Sequence, residues 1–138
     1  MDATPHARPA EPGPLPDPAE PRRLAGKDVH PVGLGCMNIV HGYSGFLDDD
    51  AAVDLLTRVL EDGTDHLDTA TLYGGGRSEE LVGRALARAG SDVRERVLLA
   101  SKGGLVRDGQ RRIDGRPETL RAHVDASLRR LGDRKSTR

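Results

Sequence analysis

The feature that most constrains this chain is an alternation. Apolar runs of strand length take turns with segments whose apolar residues recur at helical spacing. The first strand pattern covers residues 29–34 and ends at Gly33-Leu34-Gly35, after a tight turn at Ala25-Gly26. A loop leads to a helix over 48–61, in which Val53, Leu56, Val59 and Leu60 share a face. Asp48, Asp49 and Asp50 suit the positive end of that helix, and Gly63 its stop. The second strand pattern is 64–68, with Thr64, His66 and Asp68 on one face and Asp65 and Leu67 on the other. Ser78 is placed to cap the next helix, whose stripe is Leu81, Val82, Ala85, Leu86 and Ala89 and whose end is Gly90. The third strand pattern, 97–100, is continuously apolar, as suits a strand covered on both faces of a parallel sheet. A long polar loop over 103–115 then leads to Pro117 in the first turn of a helix lined by Leu120, Val124, Leu128 and Leu131 and followed by Gly132. Strand–helix alternation of this kind predicts an α/β fold with a parallel sheet and crossover helices. The pattern alone leaves a barrel and an open doubly wound sheet as equal candidates.

Composition removes several function classes. At 138 residues the chain holds one modest domain, and its net charge of -1 gives no field to draw nucleic acid or anionic lipid. The longest apolar runs are strand-sized, which predicts no membrane span, and no apolar signal core follows Met1. Cys36 is the only cysteine, so no internal disulfide can form and a reducing cytoplasm is the expected compartment. Residues 1–21, rich in proline and poor in large apolar side chains, read as a disordered tail. Residues 133–138 are wholly polar where the alternation calls for a fourth strand.

The chemistry gathers around 64–80. Asp68 ends a strand, Tyr73 follows on a glycine-rich turn, and Lys102 ends the next strand. Only Tyr43, Phe46 and Tyr73 are aromatic, and only Lys27, Lys102 and Lys135 are lysines, so a lysine at the end of an apolar strand stands out. A free phenol titrates near pH 10, and moving that by about three units takes roughly 4 kcal/mol. An ammonium about 4 Å away at an effective dielectric near 20 supplies about that much. A carboxylate beside the ammonium keeps it charged and fixed, and the phenol can then protonate a developing alkoxide. Spacing alone leaves plainer roles open: Asp68 capping a turn, Lys102 pairing with any surface acid, Tyr73 packing in its loop.

Several motifs occur together and in order. They are Gly33-Leu34-Gly35-Cys36-Met37, then Leu67-Asp68-Thr69-Ala70-Thr71-Leu72-Tyr73-Gly74, then Ser78-Glu79-Glu80-Leu81-Val82-Gly83-Arg84-Ala85-Leu86. Leu99-Ala100-Ser101-Lys102-Gly103-Gly104 and the segment from Pro117-Glu118 to Leu131-Gly132 follow. With these the chain resembles the aldo/keto reductase family over residues 22–132. The resemblance implies the first three βα units of a (β/α)8 TIM barrel, with residues 22–30 as the small hairpin that closes its bottom. It implies NADPH as cofactor and reduction of a small-molecule carbonyl, an aldehyde or ketone, with no nucleic-acid or membrane partner. In that reading Tyr73 is the general acid, Lys102 and Asp68 tune it, and Gly35, Cys36, Met37 and Asp68 lie against the cofactor. Tyr43 and Phe46 would line the substrate pocket.

The departures from the family are equally specific. Its catalytic histidine ends the fourth strand, and its nucleotide phosphates are held by the last strands and loops, none of which matches a segment here. His6, His30, His41 and His123 are not at that place, and His66 reads as a barrel-interior or mouth residue. These departures predict no turnover by the chain alone and raise two alternatives: an inactive truncated fragment, or a non-enzymatic subunit of the same fold. An open nucleotide-binding sheet is disfavoured, because Gly33-Leu34-Gly35 lacks the third glycine of a dinucleotide fingerprint.

Overall fold

The computed structural model describes residues 17, 20–40, 47–107 and 109–133. The reading of 1–21 as a disordered tail, the polar end beyond 133, and the pocket roles of Tyr43 and Phe46 lie almost wholly or wholly outside the described residues.

The described chain opens with a hairpin. Strands β1 (Arg22–Leu24) and β2 (Lys27–Val29) pair antiparallel around Ala25 and Gly26, both at positive φ. This corrects the single strand expected over 29–34. Val29 belongs to the hairpin, and only β3 (Leu34–Gly35) joins the parallel sheet. Pro31 offers no backbone donor, and the preceding amide of His30 leaves the ladder to donate to Asp65 Oδ2 at 2.9 Å.

The parallel sheet has the order β3-β4-β5, with β4 at His66–Asp68 and β5 at Leu98–Ala100. Helix α1 (Asp49–Glu61) crosses from β3 to β4. Asp48 caps it, accepting from the Ala51 amide at 2.8 Å, and Thr64 and Gly63 donate back to Val59 and Leu60 to close its last turn. Helix α2 (Arg77–Ala89) and the short α3 (Ser91–Arg96) cross from β4 to β5. Helix α4 (Pro117–Leu131) follows, with Pro117 at its first position and Gly132 in the left-handed region after it.

Two expectations along this path need correction. Residues 103–115 are not simply a loop: β6 (Leu105–Arg107) and β7 (Arg111–Ile113) form a two-stranded antiparallel ribbon. With Ile113 exposed, the ribbon carries no inward apolar alternation for a sequence reading to detect. Ser78 is not the cap of α2 either. Gly74, Gly75 and Gly76 all take positive φ, so the helix begins at Arg77 and Ser78 falls inside its first turn.

The register decides which side chains meet. Leu34, Leu67 and Leu99 are partners across the sheet and face the helices. There Leu67 packs with Leu56 and Leu60 of α1 and Leu81 and Val82 of α2, all fully buried or nearly so. Each such side chain contributes about 1.5–3 kcal/mol of burial. Helix α4 closes on α2 at Gly83, where a Cβ would come within 2.4 Å of the Arg130 carbonyl. The opposite face carries Gly35, Asp68 and Ala100 in one row and His66 and Leu98 in the row below. Among the described residues no helix covers that face, so β5 is covered on one side only, against the two expected. Leu120 and Val124 of α4 share the face predicted for them and are exposed on it, while Leu131 is buried.

Candidate active site

The parallel ladder continues past the ends of β4 and β5. The Thr69 amide donates to the Ala100 carbonyl at 2.9 Å, and the amide and hydroxyl of Thr71 both donate to the Lys102 carbonyl, at 3.0 and 3.1 Å. Lys102 is thereby fixed beside the loop that leaves Asp68. That loop turns at Tyr73, whose amide donates to the Ala70 carbonyl at 3.1 Å. The next three glycines swing the chain into α2.

Asp68, Tyr73 and Lys102 come together at this rim. The Lys102 ammonium donates to Asp68 Oδ1 and, at 2.8 Å, to the Thr69 carbonyl. Its Nζ stands 5.1 Å from the centre of the Tyr73 ring. Partial burial pulls the Lys102 pKa down, but the hydrogen bond and charge of Asp68, and then the Tyr73 phenol, outweigh it and hold it above the ordinary 10.5. Lys102 and Asp68 are each about half exposed, at 48%. A pair so open to water adds at most about 1 kcal/mol to stability. Its consequence is placement: a fixed positive charge next to a phenol.

The residues read as cofactor-binding divide. Gly35 lies in the same row as Asp68, and the space where a Cβ would stand is open. Met37 is exposed. Cys36 turns the other way, into the helix-side core, and is fully buried. Burial first, and the nearby Asp68 charge second, push its thiol up to about 12. Its backbone is also engaged, with the amide donating to the Asp68 carbonyl at 2.8 Å and the carbonyl accepting from Ser78. Of the three consecutive residues, Gly35 and Met37 are open to solvent, and the Cys36 side chain is not.

The described histidines have separate duties. His30 pairs with Asp65 at 2.8 Å at the other end of the sheet. His123 Nδ1 accepts from the Gly104 amide at 3.0 Å. His66 packs against Gly33, where a Cβ would stand 2.1 Å from its Nε2, and its Nδ1 is buried without a hydrogen bond. His41 lies outside the described residues.

Sequence reasoning missed a buried polar cluster directly behind the rim. Glu79 is fully buried, accepting from Ser101 Oγ at 2.6 Å and from Arg130 Nη1 at 2.8 Å. Ser78 and Thr69 are fully buried too, with their hydroxyls 2.9 Å apart. A signal existed: Glu79, Val82 and Leu86 share helical spacing, which puts a carboxylate on the apolar stripe.

A parallel sheet with crossover helices, and a lysine, a carboxylate and a tyrosine at the C-terminal ends of its strands, is the beginning of a (β/α) barrel with its site where barrels carry theirs. The sequence model of the aldo/keto reductase family matches residues 31–135, and the chain belongs to that family. A probable aldo-keto reductase 1 of Glycine max is 32% identical over 108 residues, covering 77% of this chain and 30% of the relative. The aldo-keto reductase yakc [NADP(+)] of Schizosaccharomyces pombe is 32% identical over 116 residues, covering 81% and 33%. Among solved structures, aldo-keto reductase AKR11C1 from Bacillus halodurans, in its holo form, superposes with a TM-score of 0.68 at 32% identity, over 83% of this chain and 37% of that one. The chain thus spans about a third of the length of these relatives, and its fold is part of their barrel.

Proposed function

We propose that this chain carries the proton-transfer half of an NADP(H)-dependent carbonyl oxidoreductase site. The observation that carries the reading is the convergence of three side chains: Lys102 bonded to Asp68 and set over the Tyr73 ring. In this site Tyr73 gives its hydroxyl proton to the oxygen of an aldehyde or ketone as that oxygen gains charge. Lys102 stays an ammonium, because Asp68 and the Thr69 carbonyl hold it, and it favours the phenolate left behind. When bound, a nicotinamide would supply the hydride. Gly35, Met37 and Asp68 would hold its ring, an assignment supported by the open space at Gly35 and the exposure of Met37. The NADP(+) in the name of the fission-yeast relative supports the phosphorylated form of the cofactor. No helix among the described residues is long and apolar enough to cross a membrane.

A second reading keeps the fold without the turnover. It is favoured by the uncovered sheet face that carries Asp68 and His66, over which a substrate would have to be enclosed. One experiment separates the two. NADPH consumption is followed with a simple aldehyde for the chain and for Tyr73→Phe. Turnover that disappears in the variant supports the first reading, and turnover that survives rejects Tyr73 as the acid. Binding of NADPH without turnover in either protein supports the second.

A further inference from the structure

The site holds Asp68 and Lys102 in register, yet neither is anchored by its own strand alone. Each has a neighbour whose hydroxyl reaches behind the rim. Thr69 follows Asp68, and Ser101 precedes Lys102. Both hydroxyls end on consecutive residues of one helical turn. Ser78 Oγ donates to the Cys36 carbonyl at 2.8 Å, so the proton shared with Thr69 comes from Thr69, which donates to Ser78 at 2.9 Å. Ser101 Oγ donates to Glu79 Oε1 at 2.6 Å. Arg130 neutralises the other Glu79 oxygen, so the carboxylate can stay buried and charged. The same turn begins just after the glycines that follow Tyr73.

We propose that Ser78 and Glu79, in the first turn of α2, are positioning residues that clamp the ends of β4 and β5 and so fix Lys102 against Asp68 and Tyr73. This inference rests on the active-site reading above and deepens it. Hydrogen bonds to a helical turn, the Thr69–Ser78 bond buried and the Ser101–Glu79 bond partly so, resist shear, because loss of either leaves a buried polar group, on Ser78 or Glu79, one partner short. An exposed lysine chain, by contrast, loses rotamer freedom whenever it is held. Without the clamp, the end of β5 is held only by the ladder bonds from Thr69 and Thr71, and Lys102 spends more of its time in water. The charged and titratable groups facing Lys102 are Asp68 and Tyr73, with the buried Cys36 thiol near the same pair and Glu79 reaching it only through Ser101.

The test reads Lys102 itself in the full chain. Three lysines are present, so their Cε resonances can be assigned with Lys27→Arg and Lys135→Arg controls and titrated by nuclear magnetic resonance. Asp68→Asn is the control for the site, Ser101→Ala removes one arm of the clamp, and Ser101→Thr restores a hydroxyl. Ser101 is exposed at the strand end and only its hydroxyl reaches Glu79, so its variants are expected to keep the fold, and circular dichroism checks this. The expected result is a Lys102 midpoint above 10.5 that falls in Asp68→Asn, falls in Ser101→Ala and recovers in Ser101→Thr. If Asp68→Asn lowers it while Ser101→Ala leaves it in place, the clamp is wrong and the site stands. If Asp68→Asn leaves it in place, the site and the clamp fall together.

Discussion

Removing Arg130 tests whether Glu79 is a buried charge held by its partner. Glu79 is fully buried, while Arg130 is 30% exposed and arches over Gly76, where a Cβ would lie 2.5 Å from its guanidinium carbon. Arg130→Ala leaves a carboxylate in the core with one remaining donor, Ser101. Breaking a buried pair from one side costs about 3–5 kcal/mol, and the surviving Ser101 bond and partial access of water place this case near the lower figure, about 3 kcal/mol. A domain of this size has about 5–15 kcal/mol in total, so the urea midpoint moves far down. The internal standard is Arg88→Ala. Arg88 pairs with Asp54 across α1 and α2, but both are largely open to water, at 59% and 44%. Its loss changes stability by about 0–1 kcal/mol. Urea unfolding of both variants, followed by far-ultraviolet circular dichroism, gives the comparison. Equal midpoints for Arg130→Ala and Arg88→Ala would refute the argument that Glu79 is a desolvated charge held by Arg130.

Three further outcomes follow from particular contacts. Gly83→Ala lowers the melting temperature, because its Cβ meets the backbone of Arg130 and Leu131 and α4 has to move off α2, at a cost of about 1–3 kcal/mol that exceeds the helix preference of alanine. Asp65 is held below its usual 3.8: burial opposes ionisation, but the amide and ring of His30 overcome it. The stabilisation is therefore present above 3.8 and lost as pH falls through the lower folded value, so Asp65→Asn flattens the acid limb of a stability–pH curve while leaving neutral stability reduced. Cys36, buried and with its thiol raised to about 12, reacts with a thiol reagent only as fast as the protein opens, and at once in denaturant.

Much of this architecture is legible in the chain because it is written in period and punctuation. Helix α1 announces itself through Asp48 at its start, the Val53–Leu56–Leu60 face and Gly63 at its close. Helix α4 does so through Pro117 and Gly132. What stays hidden lacks a repeating pattern. Helix α3 spans six residues with Val93 its only apolar one, too few for a period to show. In the β6–β7 ribbon Leu105 pairs with Ile113, but both are exposed, so no buried side marks it. Ser78 looks like a cap because it stands before acidic residues, and it is the glycines upstream that move the helix start past it. At the site, Asp68, Tyr73 and Lys102 could be named because strand ends and a motif mark them. The direction of Cys36 could not, since its place two residues past the start of a very short strand leaves the facing of its side chain to the turn. The tie from Ser101 to Glu79 joins residues far apart in sequence, and only the fold brings them together.

The account rests on Lys102 standing beside Tyr73, and proximity can be measured without turnover. With two tyrosines and three lysines in the chain, nuclear Overhauser contacts between the Lys102 ε-methylene and the ring protons of Tyr73 can be assigned by comparison with Tyr43→Phe. The structure, with Nζ 5.1 Å from the ring centre, predicts clear cross-peaks that weaken when Asp68→Asn releases the ammonium. A Lys102 side chain with no contact to the ring, in a chain whose sheet is otherwise intact, would contradict it.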